Sequence, residues 1–186
     1  MDGLSDESLI QRIAGGDRAA MAALYQRHSL RVHRFLVRMV RDAATAEELA
    51  SDVFLDVWRQ AGAFEGRSGV ATWLLGIARF KALSHLRRRA PDALDDAAAL
   101  AMADDADDPE VVAQKSDKAA VMRACLQRLG PEHREVIDLV YYHEQGVQEV
   151  AEILGIPANT VKTRLFHARR RLAELLAQAG VDRGWP

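Results

Sequence analysis

The chain has 186 residues, 49% of them hydrophobic, with 25 basic and 27 acidic side chains and a formal charge of −2. That length allows one medium domain or two small ones, and the single cysteine, Cys125, excludes an internal disulfide and argues against a thiolate zinc site. No apolar run approaches the roughly 18 residues of a membrane span, and Asp2, Asp6 and Glu7 stand where a secretory signal needs basic residues, so a cytoplasmic protein without membrane insertion is expected.

The first half reads as helix throughout. Ser5 can cap a short helix that stops at Gly15 and Gly16, and Asp17 can cap a long one over about 18–41. The next helix is expected over about 45–61. Its Glu48, Asp52 and Asp56 are spaced i, i+4, i+8 and make an acidic stripe, with Leu49, Val53 and Val57 opposite. A loop over 62–69 holds three glycines and is either a plain turn or a flap able to close over an unstacked base. A further helix over about 70–89 should pack Trp73, Leu74 and Ile77 inward. It carries a basic track of Arg79, Lys81, His85, Arg87, Arg88 and Arg89, and the terminal arginines also suit a helix C-terminus.

Charge is unevenly spread. Residues 1–90 carry 14 basic and 10 acidic side chains, residues 91–117 one basic and nine acidic, and residues 118–186 ten basic and eight acidic. An acidic connector thus separates two mildly basic blocks. Its Asp92–Asp96 and Asp104–Asp108 runs repel themselves and predict a largely unstructured linker, with a transient helix over Ala97–Ala103. Helices follow near 116–129, 132–144, 148–154 and 158–177, with Pro131 at a helix start and Cys125 as a small core residue.

The last two helices, joined by Gly155-Ile156-Pro157, have a helix-turn-helix layout. Val161, Leu165, Ala168 and Leu172 recur at helical spacing and predict a buried stripe. Lys162, Thr163, Phe166, His167 and Arg170 fall on the other side. Basic groups neutralise phosphates, hydroxyls reach base edges, and an exposed aromatic can touch a thymine methyl or a sugar.

Nothing in the chain resembles an enzyme site. The six histidines are scattered, with no metal-ligand spacing, and no Gly-rich phosphate loop is present. No cofactor or metal is expected.

Taken together, the two blocks resemble extracytoplasmic-function (ECF) sigma factors of bacterial RNA polymerase. Residues 46–58, Phe64–Gly69, Thr72-Trp73-Leu74, Ile77-Ala78-Arg79 and Leu86–Arg89 are similar to the family's second domain. Residues 129–137, 150–157 and 160–169 are similar to its fourth. The resemblance implies an all-α chain of two small helical domains: a minus-ten and polymerase-clamp domain over 1–90, a flexible acidic linker over 91–117, and a minus-thirty-five domain over 118–186. It implies core RNA polymerase, promoter DNA and an anti-sigma factor as partners. Glu48, Asp52 and Asp56 would meet the clamp. Phe64, Arg67, Ser68, Thr72, Arg79, Phe80, Arg87 and Arg88 would hold the melted minus-ten strand. Asn159, Lys162, Thr163, Phe166 and His167 would face the minus-thirty-five groove, with Arg164, Arg169 and Arg170 nearer phosphates. The linker would run toward the RNA exit path.

Two positions depart from the family pattern. Phe80 stands where many relatives carry Asn, and a phenyl ring stacks where an amide reads a base edge. His167 stands where Arg is usual, which weakens phosphate contact at neutral pH. Two other functions fit parts of the chain: a sigma-like decoy that titrates an anti-sigma factor, and a stand-alone helix-turn-helix regulator. The first predicts loss of DNA-reading side chains, and the second leaves the N-terminal motifs without a role.

Overall fold

The computed structural model of the chain describes residues 3–89 and 116–180. The connector expected over 91–117, with its Ala97–Ala103 stretch, lies outside them apart from residues 116 and 117. Among the described residues every regular element is helical. The order is α1 (Asp6–Ala14), α2 (Arg18–Val40), α3 (Ala43–Gln60), a 3₁₀ turn (Ala61–Ala63), α4 (Val70–Arg89), α5 (Ser116–Gln127), α6 (Pro131–Ile137), a π-helical turn (Asp138–Tyr142), α7 (Val147–Leu154) and α8 (Ala158–Gln178). The chain forms two compact units, one built on α1–α4 and the other on α5, α6 and α8.

In the first unit the helix starts are set by side chains that satisfy free amides. Ser5 Oγ accepts from the Ser8 N–H at 3.2 Å. Asp17 Oδ1 accepts from the Ala19 and Ala20 N–H groups at 2.8 and 3.1 Å. Its second oxygen receives Arg12 Nη2 at 2.6 Å, which ties the end of α1 to the start of α2. The Ala20 amide and the Arg12 guanidinium hold the Asp17 carboxyl below the usual range. Asp42 accepts from the Thr45 N–H at 2.6 Å, so α3 begins two residues earlier than its apolar pattern predicts.

The core of this unit is the α2 stripe Leu24, Val32, Phe35 and Leu36. It is enclosed by Leu9, Ile10 and Ile13 of α1, Leu49, Val53 and Val57 of α3, and Leu74, Leu75 and Leu83 of α4. Burial of each large apolar side chain contributes about 1.5–3 kcal/mol. A polar clasp adds to this packing. Asp6 accepts from Arg27 Nη1 at 2.9 Å and pairs with His28 Nε2 at 2.6 Å, and Arg27 also donates to the Leu4 carbonyl at 2.7 Å. Burial works to raise the Asp6 pKa, but the hydrogen bonds and charges of Arg27 and His28 outweigh it and leave the carboxyl below its usual value.

In the second unit α8 packs on α5 and α6 around Cys125, Leu129, Val136, Leu139, Val161, Leu165, Ala168 and Leu175. Cys125 is a core residue, as its apolar neighbours predict. The continuous helix expected over 132–144 is interrupted. Its second half widens into the π turn, where the His143 N–H reaches back five residues to the Asp138 carbonyl at 3.2 Å. Polar side chains are buried at this turn. Asp138 Oδ2 lies 3.4 Å from His143 Nε2, and Gln145 Nε2 donates to the His143 carbonyl at 3.0 Å. Hydrophobic periodicity carries no signal of such a network.

Candidate nucleic-acid and polymerase interfaces

The helix-turn-helix is built from the backbone outward. Glu149, third residue of α7, reaches back to accept from the Gly146 N–H at 2.6 Å and so fixes the start of α7. Gly155 sits between α7 and α8 at φ +66°, a conformation that costs any residue with a Cβ about 1–2 kcal/mol. The Ile156 N–H closes the turn on the Ala151 carbonyl at 3.1 Å.

Along α8, Val161, Leu165, Ala168 and Leu175 are buried and Leu172 is half-buried. Asn159, Lys162, Thr163, Phe166, His167, Arg169 and Arg170 are exposed on the outer face. Phe166 is 63% exposed, which leaves an aromatic face in solvent beside a cationic one. Its ring meets the His167 imidazole edge-on at 5.4 Å. The Arg169 guanidinium lies 5.6 Å from the centre of the exposed Tyr141 ring, a partner the sequence reading missed. Thr163 Oγ1 donates to the Asn159 carbonyl at 3.0 Å, so its lone pairs remain the outward-facing feature. A groove of about 590 Å³ runs beside this face, lined by Val147, Lys162, Leu165, Phe166, Arg169 and Arg170.

Arg164 does not share that face. It is half-buried, and its Nη2 donates to Glu132 Oε1 of α6 at 2.7 Å. The pair braces α8 against α6. The spacing alone gave no sign of Glu132, 32 residues away.

The N-terminal candidates divide similarly. On α3, Glu48 and Asp52 are exposed, whereas Asp56 Oδ2 pairs with Lys81 Nζ of α4 at 2.8 Å. The acidic stripe therefore combines two exposed carboxylates with an ion pair that binds two helices together. Lys81 leaves the expected basic track for the same reason. Leu55, 49% exposed, and Trp58, 36% exposed, follow Asp52 in three-residue steps along one side of α3, an apolar feature the reading of charges overlooked.

In the loop after the 3₁₀ turn, Phe64 packs against Trp73 with ring centres 5.0 Å apart. Gly66 takes φ +67°, and Arg67 is exposed and ion-paired with Glu65. Ser68 is half-buried. Thr72 is 3% exposed and lies in the packed side of α4. Trp73 and Ile77, expected in the core, are only half-buried, because they share the i, i+4, i+7 edge of α4 with Phe80. Phe80 is 70% exposed. Arg79 is half-buried, while Arg87 and Arg88 lie exposed in the last turn, with Arg88 Nε donating to the Ser84 carbonyl at 3.3 Å.

Comparison with known proteins matches both regions. Residues 24–91 match the model of Sigma-70 region 2, and residues 120–172 that of Sigma-70 region 4. The chain is 32% identical over 173 residues to the ECF RNA polymerase sigma factor SigK of Mycobacterium bovis, covering 91% of this chain and 92% of that protein. It is 28% identical over 180 residues to the RNA polymerase sigma-H factor of Pseudomonas aeruginosa, covering 92% and 93%. Among solved structures it is similar to the sigma factor RpoE from Bartonella quintana in complex with the anti-sigma factor NepR, with TM-score 0.68, 26% identity and coverage of 86% and 96%. The fold is also that of CnrH, solved in complex with the cytosolic domain of CnrY, with TM-score 0.67, 22% identity and coverage of 93% and 97%.

Proposed function

The chain belongs to the extracytoplasmic-function sigma factors of RNA polymerase, and on that premise we propose how its residues divide the work of promoter recognition. The outer face of α8 reads the minus-thirty-five element. The observation that carries this is the exposure of Asn159, Lys162, Thr163, Phe166 and His167 on one face of α8, whose opposite face holds the buried Val161, Leu165, Ala168 and Leu175. Lys162, Arg169 and Arg170 supply phosphate contacts, so affinity falls with salt. Phe166 supplies apolar contact to a thymine methyl or a sugar. Arg164 acts through its pair with Glu132 and holds α8 in position.

Residues 1–90 form the unit that meets core polymerase and the melted minus-ten strand. Glu48 and Asp52, with Leu55 and Trp58 beside them on α3, are the polymerase contact, and they combine exposed carboxylates with apolar area. Phe80 is the stacking platform for an unpaired base, and stacking is worth about 1–3 kcal/mol per base. Arg67, Ser68, Arg79, Arg87 and Arg88 track the strand's backbone, with Phe64 fixing the loop against Trp73. Residues 91–117 are the acidic linker between this unit and residues 118–186. An anti-sigma factor restrains the chain until it is released, a reading supported by the RpoE–NepR complex. The protein acts in the cytoplasm; no helix among the described residues is long and apolar enough to cross a membrane.

The test is reconstitution. Purified chain and core RNA polymerase should select a two-box promoter from a randomised DNA library by transcription. Phe166→Ala should change the upstream box and leave the downstream box intact, and Phe80→Asn the reverse. Equal disturbance of both boxes by either change would refute the division.

A further inference from the structure

Helix α2 carries a charged face outside the promoter and polymerase contacts described above. Its 23 residues include five arginines and no carboxylate. Arg27, Arg31, Arg34 and Arg38 recur at i, i+4, i+7 and i+11 and form one row. Arg34 is exposed and Arg31 half-buried, and beside them Leu30 is 57% exposed. Arg27 already binds Asp6, and the row centres on Arg34. We propose that this row docks on α3 of a second copy of the chain, where Glu48, Asp52, Leu55 and Trp58 are exposed, and that free chains associate head to tail through these two faces.

Three features select this occupant. The first is charge. Arginine forks match carboxylates in paired hydrogen bonds, and the α2 row and the α3 stripe are of opposite sign. A net charge of −2 over 186 residues opposes the approach of two copies only weakly. The second is spacing. Laid antiparallel, both rows advance in steps of three or four residues, so Leu30 meets Leu55 when Arg34 meets Asp52, and Arg38 then reaches Glu48. Apolar area falls on apolar area. The third is direction. Tyr25 of α2 meets Phe54 of α3 with ring centres 4.8 Å apart, which marks the side of α2 that faces its own α3. Arg34 follows Tyr25 by nine residues, about two and a half turns, and so points the opposite way. The row is turned away from its own copy's stripe and is open to another's.

Such a contact is heterologous, so each copy keeps one of its two faces for a further neighbour. A single pair of helix faces is small and belongs to the weak, transient class of interfaces. A copy held in this way has Glu48 and Asp52 covered, and core polymerase must displace the neighbour to reach them. That consequence alone rests on the polymerase contact proposed above; the association does not.

The probe is the full chain itself, followed by sedimentation equilibrium between about 1 and about 300 µM at about 50 mM salt. Average mass should rise with concentration and fall back at about 500 mM salt. Arg31→Glu with Arg34→Glu, and separately Glu48→Arg with Asp52→Arg, should each weaken association about tenfold. All four changes in one chain reverse both faces and leave the net charge at −2, and they should restore association to within about threefold of the unaltered chain. Leu30→Gln changes no charge and should weaken association about threefold. Thermal unfolding of each variant checks that it is folded. A chain that stays monomeric over the whole range overturns the inference. So does association that ignores the paired reversals, or a fourfold reversal that stays as weak as either pair. Core polymerase in equal amount should dissolve the associated species. Polymerase binding that leaves association intact overturns the covering of α3, whereas no polymerase binding at all refutes the polymerase reading and leaves the association standing.

Discussion

Helices α4 and α8 are nearly equal in length, at 20 and 21 residues, and both carry nucleic-acid candidates, yet they are built on opposite plans. On α8 four buried residues make one stripe and leave a broad outer face. On α4 eight residues are buried, Thr72 among them, and of the whole helix only Phe80 and the terminal arginines are exposed. Changes on the outer face of α8 can alter recognition without touching the fold. On α4 the two are more closely coupled, since eight of its positions are buried against four on α8.

The largest effect that sharpens this contrast is expected on α4. Leu74→Ala should cost about 2–5 kcal/mol by leaving a cavity in a fully buried site, measured by thermal or chemical unfolding. Phe80→Ala, six residues later, should stay within about 0.5 kcal/mol while reducing open-complex formation. A comparable loss of stability in both variants would remove the distinction between the two sides of α4. Next, Gly155→Val should cost about 1–2 kcal/mol through backbone strain alone, since no atom lies within 4 Å of the added Cβ. Its minus-thirty-five binding should fall with it.

Asp6→Asn should cost about 1–2 kcal/mol by weakening charge-assisted bonds to Arg27 and His28. Because the folded state lowers the Asp6 pKa, its contribution is complete above the unfolded value of about 3.9 and fades as pH falls through the lower folded value. The difference in melting temperature between Asp6→Asn and the unaltered chain should therefore close below about pH 4; a constant gap to lower pH contradicts this. The smallest stability effect belongs to α8. Phe166→Ala should change unfolding by less than about 0.5 kcal/mol yet weaken minus-thirty-five binding by about 1 kcal/mol or more.

The same contrast explains what could be read in advance. The α8 face was legible because an amphipathic helix with one buried stripe advertises its two sides at 3.6-residue spacing. The capped starts at Ser5 and Asp17 were legible because their amides are satisfied within three residues. Long-range pairs were not. Asp56 with Lys81 and Arg164 with Glu132 join different helices, and a charge on an outer-looking position reads as free until its partner is placed. The burial of Thr72 was not legible either, because a buried hydroxyl on a helix with eight buried positions breaks no period.

The junction of α2 and α3 has a mechanical consequence. Arg41 adopts a left-handed conformation at φ +52°, and Asp42 immediately caps the next helix. Two residues with assigned backbone angles leave no slack, so α2 and α3 behave as a welded elbow. A pull applied at Glu48 or Asp52 would be transmitted to the α2 core as torque, without being absorbed by a compliant loop.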